Sequence, residues 1–140
     1  MILLRQAKAN DAQELAQLVT DLGYPVDSAE LWSRIEKMPS GSYETLVALM
    51  ENKVAGFVGL VTLPVYEHPK PIGWILALCV SPQYRRKGVG AALIQEAEKY
   101  YRAQGVTDIR LHSGMQRGEA HEFYEKMGFD KSGYRFKKKL

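Results

Sequence analysis

Cysteine is almost missing: Cys79 stands alone among 140 residues. A single thiol cannot close an internal disulfide, which suits a reducing compartment. With three histidines scattered along the chain, no Cys/His cluster has metal-ligand spacing, and no metal is expected. No apolar run approaches the roughly 18 residues that a membrane span needs, and the opening Met1-Ile2-Leu3-Leu4-Arg5 is too short for a secretory signal. A soluble, cytoplasmic protein with no membrane partner is expected. The net charge is only +3, and its cations gather at 85–87 and 135–139. That distribution favours local anion sites over a nucleic-acid stripe, so no nucleic-acid partner is expected. Repeats, linkers and low-complexity segments are also missing. A hydrophobic fraction of 46% supports a core for one domain over 1–140.

What is present centres on residues 75–92. The run 75–80 is nearly unbroken apolar and rich in β-formers, the pattern of a strand buried on both faces. Pro82 cannot donate to a sheet ladder and ends it. Val89, Leu93, Ala97 and Tyr100 then recur at helical spacing, and Gly105 offers a C-terminal cap, so a helix is expected over 88–104. The first turn of a helix carries unpartnered N–H groups and a partial positive charge, and Gly88 and Gly90 let a ligand approach that backbone. Arg85, Arg86 and Lys87 add full charges beside it. A phosphate or pyrophosphate suits amides from about Arg86 to Gly90 and the guanidinium of Arg85. The same residues also fit a tight strand-to-helix turn flanked by three solvated cations. Two other phosphate motifs are excluded. The P-loop pattern is missing, and Leu93 stands where the dinucleotide fingerprint needs its third glycine.

Residues 80–90, V-S-P-x-Y-R-R-K-G-V-G, resemble the acyl-CoA signature of the GNAT N-acetyltransferase superfamily, R/Q-x-x-G-x-G/A after a strand. Residues 120–129, A-H-E-F-Y-E-K-M-G-F, resemble that superfamily's A-x-x-F-Y-x-x-x-G-F helix. The C-terminal third, with Arg117, His121, Phe123, Tyr124, Ser132, Arg135 and Phe136, looks most like the aminoalkylphosphonate acetyltransferase branch. The resemblance implies an α/β (α+β) fold with a mixed, mostly antiparallel sheet of six or seven strands flanked by about four helices. It also implies acetyl-CoA as cosubstrate and a small amine as acceptor, with the chain a monomer or homodimer. CoA is expected where the strand ending at Val80 parts from one starting near Thr107. The implied contacts are Cys79, Val80, Arg85, Arg86, Lys87, Gly88, Val89, Gly90 and Ala91.

The remaining elements follow from periodicity and caps. Ile2, Leu4 and Gln6 begin a strand, and Asn10 with Gln13 three residues on reads as an N-cap. Leu15, Leu18, Val19 and Leu22 give a first helix that Gly23 ends. Asp27 with Glu30 opens a second, which stops before Pro39. Residues 45–50 and 54–63 read as a hairpin turning near Asn52, with Gly56 and Gly59 marking a bulge or a close backbone approach. Three prolines stiffen the loop 63–71. A strand is expected over 106–112, a helix over 119–127 capped by Gly128, and a last strand in which Tyr134 and Phe136 alternate with Arg135 and Lys137.

An ammonium with a pKa of about 10 must lose a proton before it attacks a thioester. Many members of the superfamily place a glutamate on the central strand for this, yet residues 74–78 read W-I-L-A-L. Candidate bases are then Glu67, His68, His112, His121 and Glu122, with His68 and His112 also on the acceptor side. The resemblance assigns the Val80 amide to the developing oxyanion and Tyr124 to protonation of the leaving thiolate; a core tyrosine would show the same spacing. Arg117, Arg135 and Lys137 suit either an anionic acceptor or a solvated surface. By the same resemblance Tyr24 and Trp32 either touch the acceptor or pack. Cys79 is core rather than nucleophile, because no basic residue flanks it. Two further readings stay open: a CoA-sensing domain without turnover, and an acetyltransferase of protein N-termini or lysines.

Overall fold

The structure is a computed structural model, and it describes residues 1–113 and 118–140. The chain forms two compact units, Met1–Arg110 and Leu111–Leu140.

In the first unit the strands are β1 (Leu3–Gln6), β2 (Tyr43–Met50), β3 (Lys53–Leu63) and β4 (Ile72–Val80), each antiparallel to the next. A short β5 (Ile109–Leu111) completes the order β1-β2-β3-β4-β5, and the N–H of Gly73 donates to the Asp108 carbonyl at 2.9 Å. Among the described residues the sheet thus has five strands rather than six or seven. The expected last strand does not form. Residues 131–140 carry no regular structure, and Tyr134 and Phe136 are exposed. Alternation specifies which face a strand would bury, but a strand also needs a partner edge for its N–H and C=O groups.

Glu51 and Asn52 both take positive φ, 54° and 63°, which is the mirror-image turn that matches strand twist, so β2 and β3 form the expected hairpin. Both glycine expectations in β3 hold. Register slips at two points, leaving Ala55 of β3 and Leu76 of β4 without a cross-strand partner. A Cβ on Gly56 would lie 2.7 Å from the Cys79 carbonyl oxygen, so only glycine fits where β3 meets β4 there.

Two helices, α1 (Ala12–Asp21) and α2 (Ser28–Glu36), cover one sheet face. Leu15, Leu18 and Leu31 pack there with Val47, Phe57 and Cys79. Asp27 caps α2 as expected, accepting from the Glu30 N–H at 2.8 Å. Asn10 is not the cap of α1. The buried Asp11 instead accepts from the Lys8 N–H at 2.8 Å and from both terminal nitrogens of Arg5 at 2.8 and 3.0 Å. The spacing rule reads local hydrogen bonds, and here a guanidinium on the preceding strand moves the anchor by one residue.

On the opposite face lies α3 (Val89–Ala103), ended by Gly105 at φ 76°. Its Tyr101 is fully buried and donates to the Trp74 and Val61 carbonyls at 2.9 and 3.2 Å. Burial pushes the Tyr101 phenol well above its usual range, so it stays a neutral donor.

The second unit contains α4 (Gly118–Lys126), whose exit is closed by Gly128 at φ 93°. No helix among the described residues is long and apolar enough to cross a membrane.

Candidate active site

The segment between β4 and α3 is built in three steps. Ser81 to Tyr84 forms a tight turn, and the Tyr84 ring is buried, which pins the turn to the core. The chain then leaves extended at Arg85, takes φ 62° at Arg86 and φ 83° at Gly88, and enters α3 at Val89. A left-handed conformation at a non-glycine costs roughly 1–2 kcal/mol, and such strain persists where surrounding structure holds it for use. Here it sets the turn that carries the chain from β4 into α3.

Helix geometry leaves the amides of Val89, Gly90 and Ala91 without intrahelical partners; the first helical bond is from Ala92 N–H to the Gly88 carbonyl at 3.0 Å. Among the described residues none of the amides from Arg86 to Ala91 has a protein acceptor. The side chains of Arg85 and Arg86 are exposed and form no ion pair among the described residues, while the Lys87 ammonium stands 5.7 Å above the Tyr84 ring. Together these amides and the three cations form a cradle between β4 and α3. Tyr84, which fixes its base, was not singled out by spacing, because a buried aromatic in a turn carries no periodic signal.

The second part of the site is the end of β4. Ser81 donates its N–H to the Ala55 carbonyl at 2.7 Å, across from β3. Successive amides of a strand point to opposite edges, so the N–H groups of Val80 and Leu78 face away from β3. The outward direction of the Leu78 N–H escaped sequence reasoning, because it follows from register alone. The Cys79 thiol is buried and donates to the Leu18 carbonyl at 3.3 Å. It ties α1 to β4.

The candidate proton acceptors separate on inspection. Glu67 accepts from Arg110 at 2.9 Å, and that hydrogen bond holds its carboxyl below the ordinary range, which weakens it as a base. The Nδ1 of His68 sits 2.9 Å from the Lys70 carbonyl oxygen, inside its own loop. His112 is exposed just past β5, and Glu122 is exposed on α4. Arg117 lies outside the described residues. Tyr24 is exposed in the loop after α1, whereas Trp32 packs against the core.

In the second unit, Tyr124 is half-buried on α4, edge-on to Phe123 and Phe129 with ring centroids 5.4 and 5.9 Å away. Its ring is held at fixed orientation by those two contacts and by the closed helix exit, where Phe129 donates to the Tyr124 carbonyl at 3.0 Å.

Comparison with known proteins agrees with this architecture. The profile of the acetyltransferase (GNAT) family matches residues 10–129. Over 99% of both chains the protein is 31% identical to an N-acetyltransferase of Bacillus subtilis, YhdJ. It is 33% identical to the aminoalkylphosphonate N-acetyltransferase of Salmonella typhimurium, over 67% of this chain and 61% of that protein. The solved structure of a GNAT family acetyltransferase from Staphylococcus aureus superposes with a TM-score of 0.83 at 28% identity, covering 99% of this chain and 98% of that one. The chain belongs to the GNAT acetyltransferase family and is an N-acetyltransferase.

Proposed function

We propose that the protein, working as one unit over 1–140, moves an acetyl group from acetyl-CoA to the primary amine of a small molecule by direct attack in a ternary complex. The observation that carries this reading is the cradle. Strained Arg86, left-handed Gly88 and the unpartnered amides up to Ala91 fit a pyrophosphate, and Arg85, Arg86 and Lys87 supply its counter-charge. Bound there, CoA supplies the activated acyl thioester.

The chain's own groups then have distinct tasks. The β4 edge at Cys79 and Val80 takes the pantetheine amides as an added strand would. The outward N–H of Val80 faces the acyl carbonyl oxygen and stabilises the negative charge that develops on it. Tyr124 gives its phenolic proton to the departing thiolate, a modest leaving group with a pKa of about 8.5. Water relays the ammonium proton outward, since residues 74–78 hold no carboxylate. Cys79 takes no covalent part.

His68, His112 and Arg117 belong to the acceptor side. The likeness to the aminoalkylphosphonate enzyme supports testing a small anionic amine first. The test is release of free thiol from acetyl-CoA against aminoalkylphosphonates, polyamines, aminoglycosides and N-terminal peptides, with Tyr124→Phe alongside. Turnover on a small amine that falls about a hundredfold in the variant, with acetyl-CoA affinity unchanged, is expected. Turnover restricted to peptides, or unaffected by loss of the phenol, contradicts the reading.

A further inference from the structure

We propose that the apolar cavity beneath α1 and α2 receives the acyl chain of the thioester, so that the protein accepts acyl groups longer than acetyl, to about four carbons. This rests on the acyl-CoA reading above. The cavity measures about 140 Å³, and its wall includes Val19, Ile35, Met38, Phe57, Leu76 and Ala77. A dry apolar cavity of about this size accommodates a benzene-sized guest, and the propyl portion of a butyryl group is smaller.

Three observations direct the occupant. First, position: the cradle at 86–91 and the outward amides of Val80 and Leu78 define a track running back along β4, and the next residues on that track, Ala77 and Leu76, line the cavity. Second, exposure: Leu76 is the extra residue of the β4 bulge and is 50% exposed at the middle of a central strand, an apolar side chain in want of cover. Third, chemistry: apart from Glu44 and Thr45 at its wall, every residue lining the cavity is apolar or glycine, and Thr45, Gly59 and Ala77 are cross-strand neighbours on the face that packs against α1 and α2. A hydrocarbon chain matches such a wall.

The test is calorimetric titration of the full chain, without acceptor, with CoA and with acetyl-, propionyl-, butyryl- and octanoyl-CoA. Each methylene from acetyl to butyryl is expected to tighten Kd about threefold, with the gain ending before octanoyl. Gly59→Ala adds its methyl group beside the cavity. The new Cβ would sit 3.9 Å from the Ala77 nitrogen and the Leu76 Cβ, ordinary contact, so the variant folds. It is expected to cut the butyryl advantage about threefold while leaving free CoA binding unchanged.

Equal affinity for acetyl- and butyryl-CoA overturns the proposal, as does a gain that continues undiminished to octanoyl or is untouched by Gly59→Ala. Chain-length indifference together with lower KM for amines bearing apolar groups assigns the cavity to the acceptor and also overturns it. Absence of CoA binding altogether is a different failure, that of the cofactor reading beneath it.

Discussion

The N–H of Ser81 reaches the carbonyl of Ala55 at 2.7 Å, and Ala55 is itself the extra residue of the β3 bulge. This bond closes the end of β4 against β3 and turns the neighbouring Val80 N–H to the outer edge. The direction of the proposed oxyanion donor is thus set by a backbone contact 26 residues away in sequence, between Ser81 and Ala55.

Ser81 has φ −56°, a value proline adopts, so Ser81→Pro removes the donor at little conformational cost. Loss of the bond and crowding against the Ala55 carbonyl are expected to lower stability by about 1–2 kcal/mol. The same change misdirects Val80, and kcat is expected to fall about tenfold with a smaller change in acetyl-CoA affinity. Denaturant midpoints and steady-state kinetics read the two effects. A change in stability alone would show that the β4 end does not position the donor.

At the cradle, conformation and charge separate experimentally. Gly88 has open space where a Cβ would go, so Gly88→Ala strains only the backbone at φ 83°, at roughly 1 kcal/mol. Arg85→Ala removes an exposed cation that forms no ion pair among the described residues, leaves stability within about 0.5 kcal/mol, and is expected to weaken CoA binding about tenfold at low salt. Titrations at two ionic strengths check this, since the difference between wild type and variant shrinks as salt rises.

Gly73 lies against Tyr101 so closely that a Cβ there would sit 2.6 Å from the ring. Gly73→Ala therefore forces the buried ring off its two carbonyl acceptors, and a loss of about 2–3 kcal/mol is expected. Tyr101→Phe keeps the packing and removes the hydroxyl's contacts with the Val61 and Trp74 carbonyls, for about 1–2 kcal/mol. Thermal or urea unfolding of the two variants ranks them in that order.

Acid sensitivity centres on Asp11. Hydrogen bonds from Arg5, then from the Lys8 N–H, hold its carboxyl below the ordinary value of 3.8 despite burial. Because the folded pKa is the lower one, its stabilisation is fully present above about pH 4 and is lost as pH falls through the folded value. Asp11→Asn is expected to lower stability at pH 7 by about 1–3 kcal/mol and to flatten the acid limb of the unfolding profile below pH 4. Urea unfolding at pH 7 and pH 3 checks both, and a variant whose acid limb stays steep would assign the effect elsewhere.

Much of the fold was legible because local rules governed it. Asp27 capped α2, Gly105 and Gly128 ended their helices at positive φ, and the paired left-handed residues 51 and 52 made the hairpin. The strand-to-helix turn was legible from the apolar run, Pro82 and the helical spacing after Gly88. What escaped depended on tertiary partners. Asp11 replaced Asn10 because Arg5 came within reach, the outward direction of the Leu78 N–H emerged only once register was known, and Tyr84 anchored the turn from inside the core. The alternating stretch from Tyr134 to Lys137 offered a strand pattern without a partner edge.

The most direct measurement is an amide chemical-shift titration of the isotope-labelled protein with CoA. The account predicts saturable shifts concentrated at Leu78, Val80 and the amides from Arg86 to Ala91. Saturable binding whose shifts fall elsewhere in the chain, or no binding at millimolar CoA, would contradict it.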